Sequence, residues 1–176
     1  LIALNRRDKK IFDVYRLNIN TAELKLVAEN PGNITRWLTD NEGSLRIAVA
    51  TDGANKTLLY RKTESDLFKA ITTTNFKSAI RPLFFTFDNR FLYVSSNINR
   101  DKRAIYRYDI EKAEHLDLIY EHPEVDVYYW RKPPGVRSGS EPLRKEPEKP
   151  GIHGGAGYLS DRNRPIGRRG AAIVLL

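Results

Sequence analysis

AIYRYDIEKAE, residues Ala104–Glu114, is the stretch that decides the fold. Its first half alternates, and it then turns through the polar segment Asp109-Ile110-Glu111-Lys112. Two earlier stretches echo it: VYRLNINTAE at Val14–Glu23 and LYRKTE at Leu59–Glu64. The Tyr-Arg pair stands at 15–16, 60–61 and 106–107, giving spacings of 45 and 46 residues. A fixed period of this size marks a repeat architecture, in which each unit buries its apolar faces against its neighbours.

The surrounding text supplies the rest of each unit. In the third, strands are predicted over Pro82–Phe87, Phe91–Ser96, Ala104–Ile110 and Leu116–Tyr120, with a turn at Asp88–Arg90 and a charged loop at Asn97–Arg103. The second unit runs in the same order: Ile34–Leu38, the turn Thr39–Gly43, then Leu45–Ala50, Thr57–Lys62 and Leu67–Thr73. The first holds Leu1–Asn5, a charged turn at Arg6–Lys10, then Phe12–Ile19 and Glu23–Ala28. Glu121-His122-Pro123 matches Glu29-Asn30-Pro31, so Val125–Trp130 is expected to open a further unit. Four short strands per unit and no 3.6-residue period indicate an all-β chain. The expected architecture is a partial β-propeller of about three four-stranded blades, 1–32, 33–78 and 79–124. The near-continuous apolar strands LRIAVA and FLYVSS suit sheets covered on both faces.

Composition bounds the function. The chain has 176 residues, 40% hydrophobic and 30% charged, as in a globular protein with a real core. It has no Cys, which excludes disulfides and thiolate metal sites. No apolar run approaches the roughly 18 residues of a membrane span. LIALN is followed at once by Arg6, Arg7 and Asp8, which is no signal peptide. With no Met even at position 1, the chain is read as a fragment whose start is missing, and its compartment, cytoplasmic or periplasmic, stays open.

The net charge of +8 is uneven. Residues 1–128 carry 20 basic and 18 acidic side chains, whereas 129–176 carry 10 and 4. A nucleic-acid reading of the whole chain would rest on the tail alone, which has Tyr158 but no interleaved aromatics. That tail, 128–176, holds 6 of the 9 Pro and 8 of the 11 Gly and has no strand or helix period. It is expected to be irregular, either a basic linker or text in a shifted reading frame. The break in mid-strand favours the frame shift. Ala171–Leu176 could add a strand.

The third unit resembles a known repeat. Ser95–Glu114, with Asp88, Leu92, Ser96, Asn97, Ile105, Tyr106 and Asp109, is similar to the WD40-like repeat of TolB and of prolyl-oligopeptidase-family peptidases. Over residues 1–127, about 72% of the chain, the text resembles the N-terminal propeller of bacterial prolyl-oligopeptidase-like (S9) serine peptidases. The second unit departs from it, with Lys62-Thr63 where the Asp turn belongs. The resemblance implies a non-catalytic propeller that caps an α/β-hydrolase domain and admits peptides to a Ser-Asp-His triad. The implied partners are the remaining blades, that hydrolase domain and a peptide substrate, with no nucleic acid and no membrane. The alternative is a TolB-like propeller serving as a protein-interaction scaffold with no hydrolase. A free-standing arc of blades would expose strand edges, so the fragment is expected to be marginal alone.

No catalytic residue is assigned. The nucleophile elbow G-x-S-x-G is absent, and Gly135–Ser140 (GVRSGS) does not supply it. Ile152–Gly157 (IHGGAG) resembles an oxyanion loop, but no buried strand precedes it. His115, His122 and His153 lack metal-ligand spacing, so neither metal nor cofactor is expected. Asp40, Asp52, Asp88 and Asp109 read as turn formers. In each Tyr-Arg pair, one side chain is expected to pack between blades and the other to meet solvent or a carboxylate. Innermost strands line a propeller's channel, and Arg36 and Arg81 are the residues expected to face it.

Overall fold

Short β-branched and aromatic runs separated by Asp, Asn and Gly become strands joined by tight turns. The computed structural model describes residues 1–129 and 172–174. Its strands are β1 (Ile2–Asp8), β2 (Ile11–Leu17), β3 (Leu24–Ala28), β4 (Ile34–Thr39), β5 (Leu45–Thr51), β6 (Lys56–Tyr60), β7 (Lys69–Thr74), β8 (Ile80–Phe85), β9 (Phe91–Ser96), β10 (Ala104–Asp109), β11 (Glu114–Tyr120) and β12 (Ala172–Val174). They form three antiparallel sheets, ordered β12-β1-β2-β3, β4-β5-β6-β7 and β8-β9-β10-β11. No helix occurs among the described residues, and so none long and apolar enough to cross a membrane.

The sheets share one plan. β2, β6 and β10 carry the Tyr of the Tyr-Arg pair and each stands third in its unit. β1 therefore corresponds to β5 and β9. Ile2 pairs with Val174 and Ala3 with Ile173, so β12 holds the edge that β4 and β8 hold in the other two sheets.

The cores lie between sheets. Val14 of the first sheet packs with Trp37, Leu45 and Ala48 of the second. The other face of the second sheet presents Leu38, Ile47, Val49 and Leu58 to Ile80, Phe85, Leu92, Val94 and Tyr108 of the third. β5 thus buries residues on both sides. The β4–β5 register shifts between Leu38 and Thr39, which puts Arg46 beside Ile47 on the side of the third sheet. Burying a side chain such as Leu58 or Leu92 contributes about 1.5–3 kcal/mol.

The echo in the sequence is also an echo in the backbone. Asn18 Oδ1 accepts from the amides of Asn20 and Thr21, and Asp109 Oδ1 accepts from Glu111 and Lys112. The chain then turns through Ala22 and Ala113 at φ of 59° and 58°, a left-handed conformation unfavourable for a residue with a Cβ. Asp40, Asp52 and Asp88 likewise accept nearby amides in their turns. In the second unit, Asp66 closes the turn by accepting from the amide and hydroxyl of Thr63.

A buried carboxylate fixes the first sheet's exit. Asp13 accepts two bonds from the Arg7 guanidinium, at 2.9 and 3.0 Å, and one from the Asn30 amide at 2.8 Å. Arg7 also donates to the Asn30 carbonyl. Asn30 in turn accepts from the amides of Gly32 and Ile34 through Oδ1. Arg7 is the main cause that holds the Asp13 carboxyl below the usual range.

Three expectations need correction. The strand expected over Val125–Trp130 does not form at 125–129, and Trp130 lies outside the described residues. Among the described residues, no strand pairs with this segment. Its backbone instead crosses the β9–β10 end, with the Val127 amide donating to the Arg103 carbonyl and the Val127 carbonyl accepting from Ser95 Oγ. The turn placed at Arg6–Lys10 begins later, because Asp8 still pairs with Ile11. The strand expected over Thr57–Lys62 ends at Tyr60, because the Arg61 side chain folds back onto the chain. The reading of the tail, GVRSGS and IHGGAG included, falls outside the described residues save Tyr128, Tyr129 and the strand β12.

Two measurements check these points. Ala113→Gly relieves the left-handed strain at some cost in unfolded-chain entropy, so chemical denaturation should show a gain of roughly 0.5 kcal/mol, and Ala113→Val a loss. Asp13 has a lowered folded pKa, so its stabilisation is present above the unfolded carboxylate pKa of about 3.9 and is lost as pH falls through the folded value. Asp13→Asn should lower the melting temperature at pH 7 and flatten, without abolishing, the decline in acid, since Asp52, Asp66, Asp88 and Asp126 are lowered too.

Candidate functional site

The first strands of the second and third sheets, β4 and β8, approach one another. Beside them opens a cleft of about 650 Å³ that reaches Lys10 and Ile11 at the β1–β2 turn. Arg36 pairs across the ladder with Val49, and Arg81 with Ser95. Arg36 stands on β4 and Arg81 on β8, 45 residues apart, on the two strands that approach one another. Each is followed two residues later by a buried leucine, Leu38 or Leu83. The Arg-x-Leu echo was visible in the sequence but is too short to stand out without the register.

Both arginines line this one cleft and both are half-buried. Among the described residues, neither makes an ion pair, and no carboxylate lines the cleft. Lys10 adds a third cation. Burial, and next the charge of Arg81, pull the Arg36 pKa below its ordinary value, with Tyr129 opposing. An arginine stays charged under such shifts, so the site holds unneutralised positive charge. The Arg81 guanidinium lies 4.4 Å from the centre of the Tyr129 ring, a cation–π contact that anchors it.

The other conspicuous polar groups are occupied with structure. Arg16 reaches Glu64 at 2.9 Å and the Gly43 carbonyl at 3.2 Å, tying the first sheet to the second. Arg107 pairs with Asp117. Arg61 departs from the expected pattern: it is buried, donates to the carbonyls of Leu45 and Glu64, and stacks 4.6 Å over Phe68. Arg46 donates to Tyr60 Oη and the Asn89 carbonyl and lies 5.0 Å over Phe85. Asn41 donates to Asn89 Oδ1 and the Thr86 carbonyl, joining the equivalent turns of the second and third sheets.

The histidines are separate. His115 sits edge-on to Tyr106 and Tyr108, where burial lowers its pKa. His122 Nδ1 accepts from the Glu124 amide. His153 lies outside the described residues. No cluster that could hold a metal ion occurs among the described residues.

No family model, curated protein or solved structure matches the chain. The functional reading therefore rests on the residues themselves.

Unneutralised like charges carry a stability signature. Arg36→Gln should leave the melting temperature unchanged or raise it at low ionic strength, with the difference shrinking in about 0.5 M salt, where the screening length is only a few ångströms. Differential scanning calorimetry in both buffers is the check. A clear loss in Arg36→Gln would mean that the guanidinium has a stabilising partner.

Proposed function

We propose that residues 1–127 are part of a β-propeller belonging to a prolyl-oligopeptidase-like (S9) serine peptidase, and that this part gates access to a hydrolase domain without catalysing. The observation that carries the reading is the stacking of three meandering sheets with a common strand plan, with β4 and β8 side by side along one cleft. In this reading each sheet is a blade, the cleft is a sector of the central passage, and Arg36 and Arg81 face that passage. The full passage is completed by further blades. Substrate selection then follows from width and charge: an extended peptide threads the passage, and a folded protein does not.

The chain's own residues do three things in such a gate. The interlocked apolar faces keep the wall rigid. The Asp and Asn turns fix the strand ends. The arginines set the sign of the passage lining. None acts as nucleophile or general base, so purified 1–176 should not hydrolyse peptide or ester substrates. Serine-dependent turnover by this chain would overturn the reading. The encoding DNA, read downstream in all three frames, should contain a G-x-S-x-G between a predicted strand and helix within some hundreds of residues. A stop codon after further repeats would instead leave a scaffold without a hydrolase.

A further inference from the structure

We propose that Arg36 and Arg81 form a binding site for a carboxylate group of a peptide. Two guanidinium groups, one on β4 and one on β8, line a single cleft where these strands approach. Holding like charges together while partly burying them is unfavourable unless an anion offsets them. No carboxylate of the described residues does so. The lowered pKa of Arg36 reports the same unmet demand.

Geometry favours a carboxylate over other anions. The Arg81 guanidinium lies over the Tyr129 ring, and the planar fork of an arginine matches the two oxygens of a carboxylate. Ile11, Ile34, Trp37 and Leu83 line the cleft alongside the polar Asn30 and Thr35, so it offers apolar surface to a ligand that carries an apolar body behind one charged group. Lys10 at the β1–β2 turn adds attraction at longer range. The choice of a peptide as the bearer rests on the gating reading; the anion site rests on the cleft alone.

The test is isothermal titration of the full 176-residue chain, with arginine Nε–Hε NMR signals as the local readout. The probes are an apolar tripeptide with a free C-terminus, its C-terminal amide, an amidated peptide with a single Glu, acetate and inorganic phosphate. The free tripeptide should bind saturably, at least tenfold tighter than its amide, and shift the signals of Arg36 and Arg81. Arg36→Gln or Arg81→Gln should each weaken it at least tenfold. Arg36→Lys, which keeps the charge but loses the fork, should weaken it by a smaller factor, and so separates recognition from misfolding. Tight binding of the amidated Glu peptide would assign the site to side-chain carboxylates, and its absence to chain termini; either supports the site. Equal binding of the free and amidated tripeptides, unchanged affinity in both Gln variants, or phosphate binding more tightly than any carboxylate would overturn it. Acetate binding without binding of any peptide would overturn the peptide assignment. A missing downstream hydrolase would remove the gate but leave peptide binding intact.

Discussion

The second sheet is apolar on both faces, and the rest of the structure follows from that constraint. β5 sends Leu45 and Ala48 to one side and Ile47 and Val49 to the other, all with little or no exposure. Such a sheet has no stable solution in water by itself. It has to be covered twice, and the first and third sheets are its covers. The side chains that would make one sheet insoluble alone hold the three sheets together.

Polar contacts then fix how the layers sit, where hydrophobic burial alone would let them slide. Each tie joins turns or strand ends. Asn41 holds the equivalent turn one unit on, through the Asn89 side chain and the Thr86 carbonyl. Arg46 reaches from the second sheet to Asn89 while lying on Phe85. Glu64 accepts from the Leu45 amide and from Arg16 at once, so one carboxylate serves both the inside of the second sheet and its contact with the first. Arg36 and Arg81 stand apart from these ties, because the cleft they line with Lys10 has no carboxylate among the described residues.

Most strand positions were legible because turn chemistry and apolar runs are local signals. Phe91–Ser96 falls where the text places it, and other ends move by a few residues. The exceptions are decided by distant groups. Arg61 leaves its strand because the Leu45 carbonyl and the Phe68 ring, neither adjacent in sequence, receive its side chain. Val125–Tyr129 has a strand-like composition, but a strand needs an edge to pair with, and the segment instead satisfies its backbone against Ser95 and Arg103. The left-handed Ala22 and Ala113 were not foreseen, since alanine signals no such conformation. The two cleft arginines are singled out by the sequence, yet their shared cleft depends on the approach of β4 to β8, which the text does not display.

The two interlayer cores are unequal, and that sets an order of disassembly. Among the described residues, ten buried side chains bind the second sheet to the third, and four bind the first sheet to the second. The first interface leans correspondingly on the Arg16–Glu64 bridge, which is half open to water. A chain built this way does not come apart everywhere at once. The first sheet is therefore the layer expected to open at the lowest cost, with the second and third holding together longest.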